Sequence, residues 1–428
     1  MREGDHRLLA TTDWGPTMTA TLRQRARSRS SSDAAERRKK ALEHAREVRA
    51  GKESRRGRFR EDVSKDPKPL GFHMIRAVAV VLVLFGLVMV LSASSIVSFH
   101  QDGSPWEKFL KQIQWAGLGA LLALIAYRMP MRAMRAVARY LPFVGASLML
   151  LAFIPKFGIS VNGARAWIKL GGYTFQPSEV MKLCIIIAGA ELMSTRAKDM
   201  GDLRRVFYPF LGLTGLGVAI AGVQSDIGSC VVMASIAFAM LFLAGMAFRP
   251  MAGAMAIAGL GGYLVVRMSP DKMSRLTSFM NLRETRGGDG YQVYQALISL
   301  SNGGLTGTGI GAGTGKWGYV PLAHSDFIFA IVAEEMGLLG VFGLLALFAF
   351  LIYFGFQVAL SCDSRFGTLM AGGVASWFLI QLMVNVGGVT GILPVTGLTL
   401  PFISYGGSSM VASLAAVGLL LNVARHPR

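Results

Sequence analysis

An all-α integral membrane protein of about ten transmembrane helices is what this sequence predicts, and three observations carry that reading. Of 428 residues, 52% are hydrophobic and only 16% charged, less charge than a soluble chain of this length carries. Apolar runs of near 20 residues recur along it, each long enough to cross ~30 Å of hydrocarbon. The runs are continuous and do not alternate, which excludes the period-two pattern of a membrane barrel.

The ten runs fall near 74–96, 109–128, 135–154, 177–194, 206–223, 227–246, 249–268, 325–353, 364–387 and 404–423. Lys and Arg set their orientation, because cytoplasmic loops carry the excess of both. Arg128, Arg132, Arg135 and Arg139 lie between the second and third helices, and Arg196, Lys198, Arg204 and Arg205 between the fourth and fifth. Arg249, Arg365, Arg425 and Arg428 fall on the same side. The short loops after helices one, five and nine are nearly free of both residues. Both termini are therefore expected in the cytoplasm, with 269–324 as a large extracytoplasmic loop between helices seven and eight.

The net charge of +19 is unevenly placed: residues 1–76 hold 20 Lys/Arg and 11 Asp/Glu, or +9. Residues 1–73 read as a basic, disordered cytoplasmic tail, too poor in apolar side chains to fold alone, ahead of a membrane domain over 74–425. Ser32 to Ala50 could form a short charged helix within it. The tail's charge suits anionic lipid. No basic–aromatic interleaving points to nucleic acid. The start of the chain lacks signal-peptide features, so insertion is expected to rely on the first membrane helix. Cys184, Cys230 and Cys362 form neither a disulfide framework nor a metal spacing.

Three outward segments are not simple turns: 155–176, the long loop, and VTGILPVTGLTLPFISYGGSS before the last helix. Irregular backbone at membrane depth is tolerated only where protein or a watery cavity surrounds it, so the three together predict a cavity open to the outside. In the long loop, YQVYQALISL places Val293, Ala296, Leu297 and Leu300 on one helical face, for the membrane interface or for packing on the bundle. GGLTGTGIGAGTG over Gly303–Gly315 lacks the strand–turn–helix setting of a phosphate loop, and Trp317 follows Lys316 where such a loop needs Ser or Thr. Tight bending or close approach to a bulky ligand explains the glycines better. Lys316 either pairs with a lipid-borne phosphate or is a solvated cation.

The chemistry concentrates in PLAHSDFIFAIVAEE, Pro321–Glu335. Asp326 stands between a polar loop and apolar membrane sequence, where a carboxylate is costly unless it faces protein or water. It is either the cap of the eighth helix or a general base facing the cavity, with Phe327 and Phe329 excluding water and raising its basicity. Ala330, Ala333 and Gly337 continue a small-residue stripe from it, suited to close helix packing. Glu334 and Glu335 either relay protons or are captured by backbone or Arg partners. Glu179 and Lys182 form an i,i+3 ion pair or line the cavity and grip a polar head group. Asp226 is a helix cap or a polar wall residue.

NGARAWI, FQPSEVMK, SDIGS, GYQVYQALISLSNGGLTGTGIG, HSDFIFAIVAEEMG and TGILPVTGLTLPFISYGGSS, in that order over roughly 74–425, resemble the SEDS family of shape, elongation, division and sporulation proteins. The wording is closer to the division type (FtsW-like) than to the rod-elongation type (RodA-like). The resemblance implies a peptidoglycan glycosyltransferase of the inner membrane, at the division septum, that polymerises lipid II without a nucleotide cofactor. It implies as partners a class B penicillin-binding protein transpeptidase, other division proteins and membrane lipids. Asp326 occupies the position of the family's catalytic acid, which by resemblance deprotonates an acceptor 4-hydroxyl. Departing pyrophosphate needs cations, for which Arg165, Lys182 and Lys316 are candidates. Lys169, Glu179, Asp226, His324, Ser325, Ser404, Tyr405 and Ser408 complete the substrate-binding set. A divalent cation such as Mg²⁺ would share that role, although no metal-ligand cluster is legible. The chain departs from the family pattern at Ala166, where an Arg is common, and at Ala323, Ser325 and Ser225. A lipid-precursor flippase, with Glu334 or Glu335 sensing protons, and a non-catalytic division scaffold are the competing readings.

Overall fold

The computed structural model describes residues 69–161, 163–267 and 270–425, all within one compact unit. Most of the tail, including the expected helix from Ser32, lies outside the described residues. The helices are α1 (Leu70–Asp102), α2 (Glu107–Arg128), α3 (Met131–Ala138), α4 (Leu141–Leu151), α5 (Pro177–Thr195), α6 (Tyr208–Val223) and α7 (Ile227–Leu243). They continue with α8 (Phe248–Arg267), α9 (Pro270–Met280), α10 (Tyr291–Asn302), α11 (Ile328–Leu360), α12 (Arg365–Val389) and α13 (Gly407–Ala424).

The chain is a mostly helical membrane protein. Among the described residues seven helices are long and apolar enough to span a bilayer, and an eighth span forms if α3 and α4, bent by 60°, count as one. Pro142 follows that bend in the first turn of α4, where a missing amide hydrogen costs nothing. The sequence reading of ten includes two more segments. α7 is apolar but short, and α5 carries Glu179, Lys182 and Glu191.

α12 and α13 form the centre of the bundle, with 72% and 78% of their most apolar stretches buried, whereas α8 has only 6% buried and lies at its edge. Small residues let the central helices approach closely. A Cβ on Gly373 of α12 would come within 3.0 Å of the Ile186 side chain of α5.

Residues 155–176 hold a three-stranded antiparallel sheet that hydrophobic periodicity did not foretell: β1 (Gly158–Val161), β2 (Ala164–Leu170) and β3 (Tyr173–Phe175). Val161 pairs with Ala164, and Leu170 with Tyr173, so each hairpin turns in two residues. Gly163 and Gly171 take positive φ there, as two-residue hairpin turns require.

The glycine-rich loop has a structural explanation. α11 breaks at Gly337, whose φ and ψ are 64° and −167°. The break frees backbone groups that must find partners away from water. The loop supplies them: Leu338 and Leu339 donate their amides to the carbonyls of Gly304 and Leu305, while Thr308 and Gly309 donate to Glu334 and Glu335. This contact leaves no room for side chains. A Cβ on Gly303 would lie 1.9 Å from the Ala333 carbonyl oxygen, and one on Gly307 2.2 Å from that of Glu335. The small-residue stripe of α11 thus packs against the loop, and the close approach is to a helix rather than to a ligand. α10 packs on α11 with Ala296 fully buried, which decides for the bundle over the membrane interface.

Candidate active site

A cavity of about 890 Å³ opens where α2, the sheet, α7, α9, α10, the segment before α11 and the irregular 390–407 strand of chain meet. The backbone of that irregular segment is held from α12. Asn385 donates to the Leu398 carbonyl at 2.7 Å and Gln381 to that of Thr399 at 2.8 Å. Asn385 also donates to the Asp326 carbonyl at 2.9 Å, so one amide fixes two walls.

Asp326 lines the cavity. α11 begins two residues later, at Ile328; Phe327 takes the cap position and no side chain caps the helix. The cap explanation of Asp326 therefore does not hold. Its carboxylate faces Gly397, where a Cβ would come 3.6 Å from Oδ2. Phe327 and Phe329 are buried behind it. Burial raises the Asp326 carboxyl to about 6, against an opposing pull from the Arg275 guanidinium. A carboxylate so placed is ionised at neutral pH yet more basic than usual, as a general base should be.

Four other predicted site residues share the wall: Asp226, His324, Ser325 and Tyr405. Asp226 is both cap and wall. Its Oδ1 accepts the Ser229 amide at 3.0 Å, starting α7, and its Oδ2 accepts the Ser229 hydroxyl at 2.6 Å and the Gln176 amide at 2.9 Å. His324 is held by its carbonyl, which accepts the Tyr405 amide at 2.9 Å. Burial, with the Lys108 charge, lowers its imidazole to about 4, so it is neutral, and its Nδ1 is buried without a hydrogen-bond partner. Ser325 donates its hydroxyl to the Leu322 carbonyl at 3.3 Å.

The remaining predicted residues are not in this wall. Lys182 is fully buried, 2.7 Å from Glu179, donating to Gln381 and lying over the Trp377 ring. Lys316 is also buried, 2.7 Å from Glu335 and 3.1 Å from Ser92 Oγ; it is neither a solvated cation nor open to a lipid phosphate. Glu334 accepts the Thr314 hydroxyl and the amides of Thr314 and Gly315. Capture, not relay, is the outcome for both glutamates. Ser404 accepts the Leu400 amide at 2.8 Å, and Ser408 is buried in α13. Arg165 and Lys169 are exposed on β2, where their amides donate to the carbonyls of Gln224 and Phe157. Two cations that sequence reasoning missed do line the cavity, Lys111 and Arg275, with Trp115, Trp167 and Tyr173 as aromatic wall. Among the described residues no cluster of three or more His, Cys, Asp or Glu is placed to hold a metal ion.

These features define a polytopic helical membrane protein with a cavity that holds a carboxylate more basic than usual. The chain belongs to the FtsW, RodA and SpoVE family of cell cycle proteins, whose model matches residues 72–428. It is 38% identical over 355 residues to the "Probable peptidoglycan glycosyltransferase FtsW" of Mycobacterium tuberculosis, covering 83% of this chain and 68% of that one. To the stage V sporulation protein E of Bacillus subtilis it is 37% identical, covering 82% and 96%. Among solved structures, one described as "Structural coordination of polymerization and crosslinking by a peptidoglycan synthase complex" matches with a TM-score of 0.67 at 30% identity, covering 82% of this chain and 96% of that one. The rod shape determining protein RodA of Thermus thermophilus matches at 0.61 and 29%, covering 85% and 98%.

Proposed function

We propose that the protein is a peptidoglycan glycosyltransferase that polymerises lipid II at the outer face of the cytoplasmic membrane, with Asp326 as general base. The acceptor's 4-hydroxyl gives its proton to the Asp326 carboxylate. Its oxygen bonds to the donor's anomeric carbon, and the bond from that carbon to the undecaprenyl diphosphate breaks, the electron pair leaving with the diphosphate. The observation that carries this is the placement of a single raised-pKa carboxylate, not engaged in helix capping, in a cavity large enough for sugars. Neutral His324, Ser325, Asp226 and Tyr405 supply hydrogen-bonding groups for the substrate on the same wall. The chain's own residues carry the transfer without a nucleotide cofactor.

Ten membrane helices, cytoplasmic termini and an extracytoplasmic loop over 269–324 fit this role, because the cavity then opens to the side where the wall is built. The division-type relatives support action at the septum. The likeness to a polymerising and crosslinking complex supports a class B penicillin-binding transpeptidase as partner. The flippase reading would use Glu334 or Glu335 as a proton sensor, and both are occupied by buried partners.

The test is polymerisation of purified lipid II. Asp326→Asn should fold, bind its partner and make no glycan, and full polymerisation by that variant would reject the base assignment.

A further inference from the structure

Breaking the bond to a diphosphate puts negative charge on the departing oxygens, and preorganised cations facing that charge lower the barrier. The cations that the sequence nominated stand elsewhere: Lys182 and Lys316 are 0% and 3% exposed, each in an ion pair, and Arg165 is not in the wall. Of the described lysines and arginines only Lys111 and Arg275 line the cavity. Lys111 is 2.6 Å from Glu107 in its own helix. Arg275 is exposed, so a ligand can reach it, and it projects from α9 into the space that Asp326 also borders. Asp289, the acid nearest to it in the wall by sequence, accepts the hydroxyl of the neighbouring Ser274. Its guanidinium is also near enough to act on the Asp326 carboxyl. Asp326 and Arg275 therefore border a single void.

We propose that Arg275 is the diphosphate-binding residue of this site, gripping the lipid-linked donor's diphosphate while Asp326 takes the acceptor's proton. A guanidinium presents two parallel N–H donors to two phosphate oxygens, which an ammonium cannot. It is always charged, so the same contact strengthens as the leaving group gains charge. The inference rests on the transfer reaction proposed above.

Direct binding separates the two. The full chain is placed in phosphatidylcholine nanodiscs and titrated with geranylgeranyl diphosphate or the monophosphate, read by tryptophan fluorescence, since Trp115 and Trp167 line the cavity. The unmodified protein and Asp326→Asn should both prefer the diphosphate. Arg275→Gln should lose about tenfold of that preference, the worth of one charge-assisted contact, while Lys111→Gln keeps it. Arg275→Lys, which retains the charge and guards against misfolding of the Gln variant, should lose about threefold for want of the fork. An unchanged preference in either Arg275 variant overturns the assignment. So does loss of the diphosphate response when phosphatidylglycerol is added to the nanodiscs in equal amount, which would mark a headgroup site. Polymerisation by Asp326→Asn strikes the transfer reading alone, since its diphosphate preference is measured without turnover.

Discussion

Lys316 Nζ lies 2.7 Å from Glu335 Oε1, with both side chains inside the protein and Ser92 Oγ completing the contact. The pair joins the glycine-rich loop to the segment of α11 that precedes its break, and to α1. Lys316→Met should be strongly destabilising, by about 3–5 kcal/mol, because it leaves a buried carboxylate without its cation. Lys316→Met with Glu335→Gln should recover much of the loss, since the uncompensated charge is gone. Thermal melting of the purified variants in detergent checks this; equal melting of single and double variants would show that the pair does not act as one.

The Glu179–Lys182 pair is expected to behave similarly but to reach the cavity through a chain of contacts. Lys182 donates to Gln381, Gln381 donates to the Thr399 carbonyl, and Thr399 lines the cavity. Glu179→Gln should therefore lower both melting temperature and polymerisation, though neither residue borders the cavity. A variant that melts lower but polymerises at the normal rate at a permissive temperature would confine the pair to stability.

Gly303→Ala should be among the most damaging small substitutions outside the cavity, because its methyl would meet a backbone carbonyl at 1.9 Å and backbone cannot swing aside. The expected result is loss of the loop's docking, seen as faster hydrogen exchange at Leu338 and Leu339, whose amides bond to the loop. Gly304→Ala is the informative control. Its Cβ would meet nothing within 4 Å, yet its φ of +55° disfavours a side chain, so strain alone should cost about 1 kcal/mol.

How much of this was legible in the sequence follows from the range of the forces. The long helices were, because apolar runs near 20 residues have one solution in lipid. The place of Asp326 on a cavity was, because a carboxylate at the edge of such a run is costly unless it faces protein or water. The sheet was missed although its turns were written in Asn162–Gly163 and Gly171–Gly172, pairs typical of two-residue hairpins; strands this short give little periodicity. Lys182, Lys316 and Arg275 were beyond local reading. Whether a lysine is buried against Glu335 or open in a cavity depends on which distant segment docks beside it, and i,i+3 spacing revealed only the Glu179–Lys182 pair.

Activity should depend on pH through Asp326. The base must be ionised, so the rate should rise with pH, about tenfold per unit, up to about 6 and then level. Because Arg275 pulls the Asp326 carboxyl down, Arg275→Gln should move that limb to higher pH. A pH–rate profile with lipid II under single-turnover conditions checks both, and a limb that stays in place would mean that the guanidinium does not act on the base.

The same carboxyl makes a prediction about stability whose sign opposes the usual acid. Its folded value of about 6 lies above the ordinary 3.8, so between these limits the folded protein holds a proton that the unfolded chain has released. Stability contributed by this group is thus present below 3.8 and is lost as pH rises through about 6. Asp326→Asn keeps the shape and removes the charge, so it abolishes that cost. The inactive variant should melt higher than the unmodified protein at pH 7.5, and the advantage should fade as pH falls toward 4. Scanning calorimetry or dye-free fluorescence melting across this range measures it. A variant that melts lower at pH 7.5 would mean that the carboxylate is stabilised by a partner in the fold, and burial would then no longer account for its basicity.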